Sequence, residues 1–514
     1  MDSSLLHPRS GEVEGNDSPS SSAFDLPIQL SNPQPALPPL KTTQDELKNG
    51  PLPCNPLPHI VVISGGSGGN SICSAFPNAC FVLPVSDDGG SSSEIIRVLG
   101  GPSIGGDIRS RLVRLIPRAS SSSPLDSLRT LLSYRLPVNV SEREARAEWR
   151  DIVEGNSRLW AGIPNDRKET IRGFLVYFEG EVLKRAHKNF SFLNGSIGNY
   201  LLSGAQMFFR SLPSAIFLFA SITNSQANIL PVIVTNHTVT IAAELENGSR
   251  LVGQCEISHP LNPSSSFDED LDEQTTGSLY SPVDGMGETI PHRSNVTYSQ
   301  ADKDLGYEPL NSRIHRLYYI NAYGHEIHPT PNPEYIKNLS ASEALVYSCG
   351  SLWTSIVPCL ALRGVACAIA RSSCLRAKIF LLNGKNDRET DGYTAVDYVR
   401  YEIECMFSHF DPKLAIHRAI STVLNSHYQK PPYGLGNVQT IFPISAFMTH
   451  LVYLEDTSVV VDEKKLTTLG VMCVKVRGVK HGTDPHPRYD SDVVRGVVAQ
   501  ILAQSALRTT PDAR

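Results

Sequence analysis

"HIVVISGGSGGNSICSAF", residues His59–Phe76, sets an apolar run directly against a row of glycines and serines. An apolar strand that stops at a glycine-rich turn and resumes as a short helix leaves backbone N–H groups facing an anion, most often a phosphate. The stretch therefore predicts a buried strand that presents a nucleotide at its carboxyl end. It does not choose the nucleotide. Gly66-Ser67-Gly68-Gly69-Asn70-Ser71 only approximates the dinucleotide fingerprint and lacks the Gly-Lys-Ser/Thr ending of a P-loop.

The rest of the chain sets limits on that reading. At 514 residues and 40% hydrophobic content the chain can bury one large core with additions, or two. A formal net charge of -6 supplies no basic field for a phosphate backbone, so a primary role on nucleic acid is disfavoured and the anion is expected to be small. The N-terminal "MDSSLLHPRSGEVEG" has no cationic start followed by an apolar segment, and the longest apolar stretch, Ala344 to Ala370, is broken by Ser348, Gly350, Ser351, Pro358 and Arg363. The expectation is a protein outside the membrane. Ten cysteines with no Cys-x-x-Cys pair fit reduced thiols in a cytoplasmic core.

Residues 1–58 are rich in Ser, Pro and acidic side chains and read as a disordered tail; about 260–311 has the same character and reads as a long polar insertion. Between and beyond them, "HIVVIS", "CFVLPVS", "NILPVIVT", "ALVYSC", "KIFLLN" and "MCVKVRGV" read as strands, and "DIRSRLVRLI", "DPKLAIHRAISTVL" and "SDVVRGVVAQILAQ" as helices. Strands alternating with helical patterns predict an α/β, Rossmann-like fold, a mostly parallel sheet with helices on both faces. The domain is expected over 59–505, with a flexible end at 506–514. "VTIAAELENGSRLVGQCE", Val239–Glu256, alternates around Asn247-Gly248 and predicts a β-hairpin attached to that sheet.

Asp87 and Asp88, in "PVSDDGGSSSEIIRVLGG", fall just past a strand end. At that distance from the glycine turn a dinucleotide fold places its ribose-binding acid. Two features argue against that role: Pro77 cuts the preceding helix short, and Gly-Gly-Ser-Ser-Ser makes the Asp pair part of a loop. Paired carboxylates there can hold a divalent cation, take a proton from a hydroxyl, or simply make a turn.

The ordered set "GGSGGNS", "VSDDGGSSSEI", "GGDIRSRLV", "NGSIGNYLLSGA", "CGSLWTSIVP" and "NGKNDRETDGYTAVDYV" resembles the CofD/YvcK family over roughly His59 to Arg400. The resemblance implies a Rossmann-like fold holding a nucleotide-diphospho ligand at the glycine turn. One branch of the family transfers a phospholactyl-type group from a guanylyl diphosphate donor to a deazaflavin hydroxyl with a divalent metal. The other binds nucleotide-diphospho sugars and influences carbon flow.

On that resemblance, Gly65, Gly66, Gly68 and Gly69 let backbone approach phosphate, and Ser67 and Ser71 can donate to it. Asp87 and Asp88 face Mg²⁺ or the acceptor hydroxyl. Asp107 and Arg109 either form a charge pair or bring a guanidinium to the diphosphate. Gly198 and Asn199, at a helix start, meet base or ribose or merely cap the helix. Gly350 and Ser351 form a second anion turn, in which Ser348 and Cys349 replace the usual first two residues, and Asn383 opens the matching loop. Lys385 and Arg388 add charge that is read as solvated, and Cys349, with no His-bearing motif, as a buried thiol.

"DDGGSSSEI" and "GDIR" stand closer to the YvcK branch. The expectation from sequence is thus a binder of a nucleotide-diphospho ligand, a UDP-sugar, acting as a metabolic regulator. The alternative is a Mg²⁺-dependent transferase of the 2-phospho-L-lactate type that releases nucleoside monophosphate. A homo-oligomer is left open.

Overall fold

Ile60–Ile63 (β1) is a run of four apolar, mostly β-branched residues buried on both faces, which is how a central strand of a parallel sheet reads. The structure is a computed structural model that describes residues 59–104, 106–121, 123–226, 228–259, 308–399, 442–480 and 487–509, apart from the side chains of Ser67 and 507–509. These residues lie in one unit, Pro56–Arg514. The expected tail, most of the 260–311 insertion and the helix read in "DPKLAIHRAISTVL" fall outside the described residues.

The remaining strands are β2 (Cys80–Leu83), β3 (Asn228–Pro231), β4 (Val239–Leu245), β5 (Arg250–Val252), β6 (Ile314–Asn321), β7 (Glu326–Ile327), β8 (Ala344–Tyr347), β9 (Ala377–Leu381), β10 (His450–Leu454) and β11 (Met472–Val476). Seven of them form a parallel sheet in the order β11-β10-β9-β8-β1-β2-β3. The interior strands β1, β2, β8, β9 and β10 are buried throughout, whereas the edges carry Pro231 on β3 and exposed Met472 on β11. A proline is tolerated at an edge because no ladder partner needs its missing N–H.

The helices needed below are α1 (Gly66–Ser71), α2 (Gly90–Leu99), α3 (Gly106–Arg114), α4 (Pro124–Ser133), α5 (Glu142–Glu154), α6 (Asn165–Leu183), α7 (Ile197–Phe209), α8 (Leu212–Ile222) and α9 (Gln254–Ser258). α5, α6 and α7 meet on an aromatic cluster in which Tyr200 stacks on Phe178 at 4.6 Å and meets the Trp149 ring edge-on at 5.2 Å. This fixes α7. The final helix, Ser491–Thr509, runs on into the segment expected to be flexible. Ala344–Ala370 is β8 followed by buried helical turns, and among the described residues no single helix is long and apolar enough to cross a membrane.

The hairpin forms around Asn247-Gly248, with Gly248 at φ +84°, but it does not join the parallel sheet. β4 takes β5 on one edge and β6 on the other, so its hydrogen-bonding capacity is spent in a separate antiparallel sheet, β5-β4-β6-β7. This sheet packs Ile241, Ala243 and Leu245 into the common core.

The chain runs outward from β1 through β2 to β3 and then returns to β8 on the other side of β1. That reversal is the topological switch point at which open α/β sheets bind ligands, beyond the strands' carboxyl ends. Here the turns after β1 and β8 pack backbone against backbone. A Cβ on Gly68 would collide with the carbonyl oxygen of Cys349, and one on Gly350 would lie 2.7 Å from the carbonyl oxygen of Gly65. Gly68→Ala should therefore cost about 3 kcal/mol, because backbone must move. Gly248→Ala, with open space but positive φ, should cost about 1 kcal/mol. Urea denaturation checks both; equal costs would mean the two turns are not in fixed contact.

Candidate active site at the switch point

α1 begins at Gly66, whose N–H is already taken: it donates to Asp107 Oδ2 at 2.8 Å. A carboxylate from α3 thus stands where a phosphate is expected. Burial first, and the nearby charge of Asp87 second, push the Asp107 carboxyl up to about 6. Ser71 donates within its own helix, to the Gly68 carbonyl at 2.6 Å. The Ser67 side chain lies outside those described.

Beneath this turn sits Arg111, 1% exposed. It donates to Ser64 Oγ at 2.7 Å and to Asn70 Oδ1 at 3.1 Å and lies over the Phe81 ring at 4.6 Å. All three are neutral, and among the described residues no ion pair reaches it. A buried guanidinium held by neutral groups keeps a field for anions directly under the glycine turn. The sequence carries a signal for it, since Ile108, Arg111 and Leu112 share one helical face and an arginine on an apolar stripe is a buried charge.

The second turn repeats the pattern. Glu389, 2% exposed, accepts from the N–H groups of Trp353 and Thr354 at 3.0 and 3.1 Å and from Thr354 Oγ1 at 2.5 Å. Burial, then Asp387, raises its carboxyl to about 8. Asn383 donates to the Gly350 carbonyl at 3.1 Å, and Ser351 hydrogen-bonds Asp387. Both residues therefore brace the turn. The Cys349 thiol is pushed up to about 11 by burial, as an inert core thiol is. Arg388 donates to the Glu308 carbonyl at 2.9 Å, while Lys385 is exposed.

Asp87 and Asp88 lie past the end of β2 with divergent partners. Asp87 Oδ1 accepts from Gly89 N–H at 3.1 Å, and its Oδ2 accepts from Gly106 N–H at 2.5 Å and from Ser92 at 3.3 Å, which ties the loop to the start of α3. Asp88 turns toward α9, where Oδ1 accepts from Cys255 N–H at 2.9 Å. Desolvation raises it to about 6. Asp87 Oδ1 accepts a single bond and so keeps acceptor capacity. An ion held by one or two carboxylates and completed by phosphates and water is the magnesium mode, and the pair fits that sparse arrangement. Among the described residues no group of three or more His, Cys, Asp or Glu side chains could hold a metal by itself.

Of the two readings of Asp107 and Arg109, the charge pair is not formed among the described residues. Asp107 faces Gly66 on one side of α3, whereas Arg109 Nε reaches Asn199 Oδ1 at 3.3 Å on the other. Asn199, 1% exposed, passes the contact on by donating to Ser91 Oγ at 3.0 Å. Its neighbour Gly198 makes room: a Cβ there would come within 2.9 Å of Arg109 Cγ and Cδ. Gly198 and Asn199 therefore seat an arginine in this structure.

A family model described as 2-phospho-L-lactate transferase CofD matches residues 60–474. The chain belongs to the CofD family. It is 33% identical over 453 residues to a Saccharomyces cerevisiae protein described as Uncharacterized protein YNL011C, with 81% of this chain and 95% of the yeast protein covered. A crystal structure of a UPF0052-family protein, BH3568 of Bacillus halodurans, has a similar fold at TM-score 0.50 and 18% identity, covering 86% of this chain and 99% of that one. The expected family and its mixed α/β fold both hold for this CofD-family chain.

The Asp107 contact has a measurable consequence. Its carboxyl stands near 6 folded against 3.8 as the reference value, so between these values the native state binds more protons than the unfolded state. This group's contribution to stability therefore falls as pH rises from about 4 to 6, by at most about 3 kcal/mol. Asp107→Asn removes the titration and keeps an acceptor for Gly66. Chemical denaturation should show the variant gaining on the parent as pH rises through that window; a pH-independent difference would contradict the assignment.

Proposed function

We propose that this CofD-family chain is a transferase. It moves a phosphate-linked group from a nucleoside-diphospho donor to a hydroxyl acceptor in the cleft beyond β1, β2 and β8. The observation that carries the reading is Asp88, a carboxylate raised to about 6 at the carboxyl end of β2, beside a glycine turn underlain by the unpaired guanidinium of Arg111. A base of near-neutral pKa suits removal of a hydroxyl proton at physiological pH.

The acceptor oxygen forms a new bond to the transferred phosphorus. The bond from that phosphorus to the bridging oxygen breaks, its electron pair leaves with the nucleoside monophosphate, and the hydroxyl proton passes to the Asp87–Asp88 pair. Asp87 would hold magnesium, which when bound supplies positive charge to the diphosphate, leaving Asp88 of the pair to take the proton. Arg111 keeps the floor of the cleft positive. A regulator that binds a UDP-sugar without turnover would use the same cleft, and the transferase description of the matching family model favours turnover.

The test is to incubate the protein with Mg²⁺, guanylyl- or uridylyl-diphospho conjugates and hydroxyl acceptors, and to follow release of GMP, UMP or UDP. Asp88→Asn should leave donor binding within a few-fold and cut turnover by about 10²-fold or more. Saturable binding with no release in the parent would favour the regulator.

A further inference from the structure

Arg109 is 8% exposed, yet among the described residues its one hydrogen bond is from Nε to a neutral amide, Asn199 Oδ1. Among the described residues the terminal nitrogens of its guanidinium have no acceptor and no carboxylate oxygen within ion-pair distance, and they are not fully buried. A largely buried guanidinium that keeps its terminal nitrogens open is suited to receive an anion. A second guanidinium lies nearby: Arg135 pairs through its backbone with Ser196, two residues before the Gly198 that packs on the Arg109 side chain. Arg135 is exposed at the rim just past α4 and donates to the Asn194 carbonyl at 3.1 Å. Burial, and after it the charge of Arg135, hold the Arg109 guanidinium down at about 10.

Asp87 is the carboxylate whose charge acts most on both, but it lies beyond ion-pair distance of either and already accepts from Gly89, Gly106 and Ser92. At the same place Ser196, the residue that opens α7, is fully buried with a hydroxyl that has no partner among the described residues and caps nothing. Two like charges and an unused hydroxyl at the start of a 13-residue helix describe a site missing its anion.

We infer that Arg109 and Arg135 form a two-guanidinium clamp, completed by Ser196, for a phosphate-type dianion, with Gly198 and Asn199 as positioning residues that seat Arg109. The clamp stands on the opposite side of α3 from the glycine turn, so it grips a second point on the ligand. It rests on the transferase reading only in taking that dianion to be part of the donor. Asn199 holds Arg109 without quenching its charge. An aspartate at 199 would hold the same guanidinium and neutralise it.

That difference gives the experiment. Inorganic pyrophosphate without added metal is titrated calorimetrically into the full chain, its Asn199→Asp and Arg135→Gln variants, and Arg135→Lys. Asn199→Asp should melt no lower than the parent, because Arg109 gains an ion-pair partner, yet bind pyrophosphate at least 10-fold more weakly. Arg135→Gln should lose about 10-fold or more and Arg135→Lys less, since lysine keeps the charge and loses the fork.

In the parent, pyrophosphate should also slow phenylglyoxal modification of Arg135, read by peptide mass spectrometry. This measurement does not depend on any variant folding. Parent-like binding in both Asn199→Asp and Arg135→Gln, or no protection of Arg135, would overturn the clamp. Arg135-dependent pyrophosphate binding in a protein that never releases nucleoside monophosphate would keep the clamp and remove the transferase. Turnover unaffected by Arg135→Gln would do the reverse.

Discussion

The close approach of two strand-end turns governs everything built around them. Gly68 lies against the Cys349 carbonyl and Gly350 against that of Gly65 because neither Gly68 nor Gly350 carries a Cβ. Bulk on either side would force the carboxyl ends of β1 and β8 apart. The order in which the chain lays down strands reverses between these two, so the same contact shapes the crevice that a ligand would enter.

Polar groups around this contact are satisfied by the protein's own charges. Asp107 answers the first N–H of α1, and Glu389 answers those of Trp353 and Thr354. Burial raises both carboxyls, so each sits closer to its neutral form than an exposed acid. The cations follow another rule. Arg111 and Arg109 are buried with neutral partners, Ser64 and Asn70 for one and Asn199 for the other. Internal acids thus cap the turns while the arginines keep their charge uncancelled. This division of labour is what suits the crevice to a phosphorylated ligand.

Much of the fold was legible because parallel strands buried on both faces read as unbroken apolar runs: "HIVVIS", "ALVYSC" and "KIFLLN" became β1, β8 and β9. "HLVYL", His450–Leu454, went unread although it forms the interior strand β10, and the hairpin's sheet was misassigned because local alternation does not reveal which strand lies alongside. At the site, glycine spacing located both turns but not their contents. Whether a glycine faces a ligand or a neighbouring carbonyl depends on the other turn, nearly three hundred residues away in sequence. For Asp107 and Arg109, two residues apart on a helix, a charge pair was one of two readings, yet i and i+2 positions point to different faces. Arg135 carries no local signal, since its role depends on Arg109 across the α3–α4 gap.

The account's central claim is that phosphate groups of the donor lodge in the crevice at the carboxyl ends of β1 and β8. A crystal structure with a nucleoside diphosphate and Mg²⁺ tests this most directly. The account predicts density for the diphosphate between the Gly65–Gly69 turn and α3, with the Asp107 contact to Gly66 displaced or shared. Diphosphate density elsewhere, such as in the polar cavity of about 590 Å³ lined by Asp126, Glu148 and Arg158, with the Gly66–Asp107 bond untouched, would contradict it.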